Sequence, residues 1–237
     1  MRKCHRMDRR SFTKLLGSVA IAYNPGLKAL VSGDRVVVVG AGIVGSSIAY
    51  HLTKMGAAVT VIERDRPAAH ASGRSFAWIN ASYPKKPYSY HHLSRLSLLA
   101  YHKLETEIGI DVHWGGSLEW FASQENQKML AQEIQVQQSY GVPIEMISGE
   151  QAHELEPNVE FDKNSSIAFS KLDGAVDAVG IVENFLRKTS SLGNEVLYPV
   201  TYKSLKVIGN KIVAVRTSVG EIETDQVVFA CGVDTDE

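Results

Sequence analysis

The chain has 237 residues, 25 Lys and Arg against 26 Asp and Glu, and a formal net charge of -1. Seven of the basic residues and one acid, Asp8, lie in residues 1–33, leaving an acidic body of 18 basic and 25 acidic side chains that argues against a nucleic-acid partner. Its two cysteines, Cys4 and Cys231, make neither a disulfide framework nor a metal site, and no apolar run reaches the roughly 18 residues a bilayer span needs.

The first 33 residues read as a leader. Arg9–Arg10–Ser11–Phe12–Thr13–Lys14 resembles a twin-arginine export motif, followed by a short apolar segment, Leu15 to Tyr23, and the breaker Pro25–Gly26. The expectation is a periplasmic or otherwise exported protein that crosses the membrane already folded. The alternative is a leader with no export role and a cytoplasmic protein.

Residues 35–63, RVVVVGAGIVGSSIAYHLTKMGAAVTVIE, carry the main signal. Val36 to Val39 have the composition of a strand buried on both faces. Gly40, Gly42 and Gly45 then form G-x-G-x-x-G at the mouth of a helix. Gly40 allows the tight turn, Gly42 lets a pyrophosphate approach the backbone, and Gly45 lets the helix press onto the sheet. The helix start, with Ala41, Ile43 and Val44 between the glycines, offers free N–H groups and partial positive charge to phosphates. Ala58 to Ile62 read as a second buried strand. Glu63 closes it 18 residues after Gly45, where a carboxylate can accept from a ribose 2′-OH. A ligand-free βαβ unit whose glycines only ease packing is the alternative.

Residues 68–81, AAHASGRSFAWINA, have neither helical nor strand period and read as a loop over the ligand. Ser72, Gly73, Arg74 and Ser75 can meet a pyrophosphate through backbone N–H, hydroxyl and guanidinium; a solvated surface loop fits the composition equally. Pro84 and Pro87 mark a crossing out of the nucleotide domain. The spacing predicts a helix over His91–Ile108 with Leu93, Leu96, Leu99, Leu104 and Ile108 facing a core, and His91, His92 and His102 in structural roles. A strand near Ser117–Phe121, a polar helix over Gln124–Tyr140, a strand at Ile144–Ile147 and a short helix capped by Ser148 follow. The change of pattern signals a second, inserted domain.

Strands are expected at Ile167–Phe169 and Ala175–Val176, then a helix from Ala178 to Leu192. A β-meander runs through Tyr202–Ile208, Lys211–Thr217 and Glu221–Thr224. Val227 to Ala230 is again a buried run, expected to return to the first sheet before Cys231–Gly232.

These segments resemble the D-amino acid oxidase-like family of FAD-dependent oxidoreductases. GAGIVG with Glu63 is similar to the family's dinucleotide motif, ASGRSFAWIN to its flavin-covering loop, the meander to the piece near the adenine, and VVFACG to the segment closing the FAD site. The resemblance implies an α/β fold: a Rossmann-type FAD-binding domain, residues 34–85 and 172–237, with an inserted α+β substrate domain, 86–171. It implies FAD as cofactor, held by Gly40, Ala41, Gly42, Ile43, Val44, Gly45, Glu63, Arg64, Ser72, Gly73, Arg74, Ser75, Tyr202, Ala230 and Gly232. Tyr202 falls where the family commonly has Val, with its backbone toward the adenine. Cys231 stands where a smaller residue is usual and reads as a buried small hydrophobe. No catalytic residue and no metal ligand is assigned.

The implied activity is oxidation of a C–N bond of an amine or amino acid, with hydride passing to flavin and on to oxygen or a membrane-associated acceptor. Family members continue into a second half of the substrate domain and a Gly-rich segment. The expectation is therefore an N-terminal portion, truncated at its C-terminus: a fragment, a truncated gene product, or one part of a split gene whose other half is a separate chain. The rival reading is a non-catalytic nucleotide-binding fragment. An NAD(P)-linked dehydrogenase is a third, disfavoured by the meander, and for NADP by Glu63, which would repel a 2′-phosphate.

Overall fold

The computed structural model describes residues 33–80 and 85–235, so the twin-arginine-like leader lies outside the described residues. Two compact units emerge: the described residues up to Ser75 together with those from Ala178 onward, and Phe76–Asp177 between them. The first unit begins with strand β1, Arg35–Val39, whose four valines are all buried. Helix α1, Ile43–Lys54, follows, and strand β2, Ala58–Ile62, returns parallel to β1 in the register Val36↔Val59 to Val39↔Ile62.

The second unit holds two three-stranded antiparallel sheets. Strand β3 is Trp78–Ile79, helix α2 Tyr88–Ile108, and strands β4 and β5 are Val112–His113 and Ser117–Glu119. Helix α3, Gln124–Ser139, strand β6, Ile144–Ser148, helix α4, Gly149–Leu155, and strands β7, Ser166–Ser170, and β8, Gly174–Val176, complete it. One sheet runs β3–β8–β4 and the other β5–β7–β6. Helix α3 covers the second sheet with Leu130 and Ile134 against Val142, Ile144 and Ala168. Ser148 caps α4 as expected and closes a capping box, its hydroxyl accepting from Gln151 N–H while the Gln151 side chain accepts from Ser148 N–H.

Three expectations differ from the fold. The unit boundaries fall after Ser75 and before Ala178, not at 85/86 and 171/172. One antiparallel pair moves both, because β3 bonds to β8 and carries Trp78 into the second unit. The stretch 68–81 is also not wholly irregular, since it holds a 3-10 turn, Ser72–Arg74, as well as β3. Helix α2 starts at Tyr88 and buries His91, Leu98 and Ile108, while Leu93, Leu96 and Leu99 are 59, 49 and 58% exposed. The helix carries two apolar stripes, and periodicity alone does not say which one packs.

The chain re-enters the first unit through helix α5, Ala178–Ser191, which lies on α1 with the Phe185 and Tyr50 rings 5.5 Å apart. Strand β9, Glu195–Leu197, joins β2, and β10, Tyr202–Ile208, β11, Lys211–Thr217, and β12, Gly220–Glu223, form the meander. Strand β13, Gln226–Phe229, pairs parallel with β1, giving the order β13–β1–β2–β9. Val37, Val39, Ile62, Val200, Val215 and Val227 pack as one core linking that sheet to the meander. Two polar devices fix the return. Arg35 forks onto Asp225 at 2.9 and 3.1 Å and reaches Glu223 at 2.5 Å. Fully buried Thr224 accepts from Val37 N–H at 3.2 Å, and its hydroxyl lies 2.6 Å from the Gln226 carbonyl and 3.0 Å from that of Arg35. Replacing Thr224 by Val keeps the shape and removes the buried hydroxyl, with its contacts to the Val37 amide and to the Arg35 and Gln226 carbonyls. Thr224→Val is expected to lower unfolding stability by about 1–3 kcal/mol, read as a shift of the urea midpoint with the slope unchanged.

Candidate functional site

The loop from β1 to α1 is the centre of the first unit, and its glycines divide the work. Gly40 has φ +105, and a Cβ there would stand 2.5 Å from the Ala230 carbonyl oxygen. A Cβ on Gly45 would stand 1.9 Å from the Gly40 oxygen. Both positions are closed by the protein's own backbone. Gly42 is different: only Ser72 Oγ, at 3.1 Å, lies within reach of a Cβ there. Gly40 and Gly45 thus shape the turn, and Gly42 keeps its outer side open to a ligand.

Helix α1 begins at that open side without a capping side chain or an acid in its first turn. The Ile43 amide donates to Ser72 Oγ at 2.9 Å. Among the described residues, no acceptor meets the amides of Val44 and Gly45. A 12-residue helix that starts with unpaired N–H groups and no neutralising carboxylate is suited to bind an anion.

Glu63 stands where the parallel strand ends and is only 8% exposed. Its Oε2 accepts from Ala41 N–H and its Oε1 from Asp65 N–H, each at 2.9 Å. Its own amide and carbonyl bond to Leu197 and Val200. The carboxylate is immobilised beside the glycine turn, with a further lone pair on each oxygen for ligand hydroxyls. Glu63, Asp65 and His70 offer ligand atoms within 4.8 Å of one another, but Glu63 is already engaged by two amides and His70 Nε2 lies 2.6 Å from Asp65.

The segment after β2 is stapled to this turn. Ala68 N–H donates to the Ala41 carbonyl, Gly73 N–H to the Ala68 carbonyl, and Ser72 Oγ takes the Ile43 amide. Ala68 holds φ +57, an unfavourable conformation for a residue with a Cβ. Gly73 is required for packing, because a Cβ there would lie 2.3 Å from the Ala68 oxygen. Arg74 and Ser75 are exposed beyond this staple. The sequence offered no signal for the Ala68–Ala41 bond, which joins two backbone groups.

The remaining predicted residues take other positions. Arg64 turns from Glu63 to pair with Asp234 at 2.7 Å, tying the end of β2 to the short turn Gly232–Asp234. Gly232 has φ +64 and open space around it. Ala230 N–H continues the β1 pairing by donating to the Val39 carbonyl. The Tyr202 side chain is spent on packing, its ring edge-on to Phe229 at 5.1 Å, which leaves only its backbone for a ligand. Cys231 packs against the same core, and burial, reinforced by the Glu63 charge, pushes its thiol pKa up. A cleft of about 160 Å³, lined by Trp120, Phe161 and Phe169, belongs to the second unit and touches none of these residues.

A glycine turn with one open flank, free first-turn amides and a clamped carboxylate fit the diphosphate and ribose of a dinucleotide. Comparison with known proteins narrows this. The family model for the DAO FAD-dependent oxidoreductases matches residues 35–237. Glycine oxidase of Bacillus licheniformis is 30% identical over 83% of this chain and 53% of its own length. D-amino acid dehydrogenase of Azorhizobium caulinodans is 26% identical over 84% of this chain and 61% of its own. The crystal structure of L-proline dehydrogenase from P. horikoshii superposes with a TM-score of 0.75 at 27% identity, over 87% of this chain and 55% of that one. The chain thus spans between half and two-thirds of the length of these relatives.

The raised pKa and half-burial of Cys231 keep it a protonated thiol at neutral pH. In a Cys4→Ser background, Cys231 is expected to react with a thiol reagent at pH 8 at least about tenfold more slowly in the folded protein than in the denatured one, measured by the rate of colour release.

Proposed function

The chain belongs to the DAO family of FAD-dependent oxidoreductases, and from that membership we propose that its first unit holds FAD by the adenosine and diphosphate and that the protein oxidises a C–N bond of an amine or amino acid. The observation that carries the cofactor reading is the Glu63 carboxylate locked by Ala41 N–H inside the glycine turn, beside open amides at the start of α1. FAD, when bound, supplies the hydride acceptor for such a reaction. The chain's own residues do the holding. Glu63 accepts from ribose hydroxyls, and the Val44 and Gly45 amides donate to diphosphate oxygens across the open side of Gly42. Arg74 places a cation near that charge. Ser75, Ala230 and Gly232 complete the border of the site through backbone and small side chains. The Cys231 thiol has no redox part.

The second unit is the portion assigned here to the substrate. Substrate class rests on the names of similar proteins, which act on glycine, D-amino acids and L-proline. Export through Arg9–Arg10 and delivery of electrons to a membrane-associated acceptor are further parts of the proposal, resting on the leader sequence alone.

Purified protein is expected to carry flavin absorbance bands and to release FAD on denaturation. Glu63→Ala removes acceptors for ribose and is expected to weaken FAD binding by about 10–100-fold, the worth of hydrogen bonds to a charged group, measured by flavin fluorescence titration of the apoprotein. Gly42→Val is expected to lose FAD comparably while retaining the wild-type circular dichroism spectrum, whereas Gly45→Val fails to fold. A folded wild-type protein that takes up no flavin overturns the cofactor reading. Flavin-loaded protein that no amine or amino acid bleaches under anaerobic conditions retains the cofactor reading and overturns the oxidation.

A further inference from the structure

Among the buried polar atoms of the second unit's described residues that have no hydrogen-bond partner are His91 Nε2, both amide atoms of Gln137, and Ser170 Oγ. The residues are 1, 2 and 1% exposed. Native proteins leave few buried polar groups unpaired, because each would forfeit its hydrogen bonds to water. The fold brings these three to one end of the α3–sheet layer. Ala168 packs against Leu130 and Ile134 of α3, and Ser170, two residues further along β7, projects from the same face. Gln137 follows Ile134 by one helical turn, and its carbonyl accepts from Val142 N–H at 3.1 Å. Ile144, in the same apolar cluster as Val142, is the register partner of Ser170.

His91 enters from α2. Its ring centroid lies 5.3 Å from that of Tyr140, and Arg95, one turn on, donates to the Gly141 carbonyl at 3.2 Å. The start of α2 is therefore packed on the end of α3, next to Gln137. Burial lowers the His91 pKa, and the charges of Arg95 and Lys85 push the same way, so the ring is neutral and carries one donor and one acceptor nitrogen. The nearby Lys85 ammonium is occupied by Asn80, whose carbonyl and amide oxygens it meets at 2.6 and 3.0 Å.

We propose that His91 Nε2, the Gln137 amide and Ser170 Oγ line an internal water site, and that ordered water bridging them ties the start of α2 to the α3–β7 layer. Water matches this set because it donates and accepts, while the three side chains make no direct bonds to one another. An apolar ligand would leave all of these atoms unpaired, and an ion would meet no full opposite charge among them.

The test uses the full chain. Crystals of the wild-type protein are expected to show a water within hydrogen-bond reach of at least two of the three side chains. In solution, protein with ¹⁵N-labelled histidine is expected to give a His91 ring–water cross-peak with the sign of a long-lived water. Gln137→Leu with Ser170→Ala is expected to abolish that cross-peak; should the double variant not fold, Ser170→Ala alone is expected to weaken it. A crystal in which these side chains bond directly, a wild-type protein with no such cross-peak, or a cross-peak unchanged in the folded variant overturns the proposal.

Discussion

The turn from β1 into α1 exists because Gly40 and Gly45 lack side chains. Their backbones approach so closely that a methyl on Gly45 would sit inside the Gly40 carbonyl. Much of the first unit is referred to that contact. It fixes where α1 begins and which amides are left unpaired there. It brings Ala230 against Gly40, so the last parallel strand ends beside the first. It also presents the Ala41 amide to Glu63 and the Ala41 carbonyl to Ala68. The site is a consequence of backbone packing, with few functional side chains.

The meander and Arg35 play a supporting part. Thr224 and Asp225 sit between the last meander strand and β13, and both bond to Arg35, the first residue of β1. Segments about 190 positions apart are thereby registered before the valine core closes over them. The Arg35 fork is exposed, and its contribution is geometric more than energetic. The fully buried Thr224 hydroxyl carries more of the stability, because no water can replace it.

What was legible in the sequence follows from range. The valine run, the glycine spacing and Glu63 are local patterns with a mechanical meaning each, so the βαβ unit and its glycine turn were readable from residues 35–63 alone. The meander was readable because hairpin turns are local too. The packed face of α2 was only partly legible: Ile108 is buried as expected, but Leu93, Leu96 and Leu99 compete with His91 and Leu98 and only the partner surface chooses between them. The unit boundary was misplaced by a two-residue strand, β3, too short to show a period. The bond from the Ile43 amide to the Ser72 hydroxyl and the structural need for Gly73, set by the Ala68 carbonyl, both join segments that no local pattern relates. The pairing of Arg64 with Asp234 joins residues that no spacing rule connects.

The clamping of Glu63 bears on how cofactor preference could change in such a protein. The same two oxygens that would read a ribose also pin the amides of Ala41 and Asp65. A substitution that removes the carboxylate to admit a 2′-phosphate also releases the glycine turn. Recognition and architecture are thus coupled at one residue, and a lineage or a designer seeking the other nucleotide would need a compensating acceptor for Ala41 first. Specificity at this site is buffered against single substitutions by the backbone it supports.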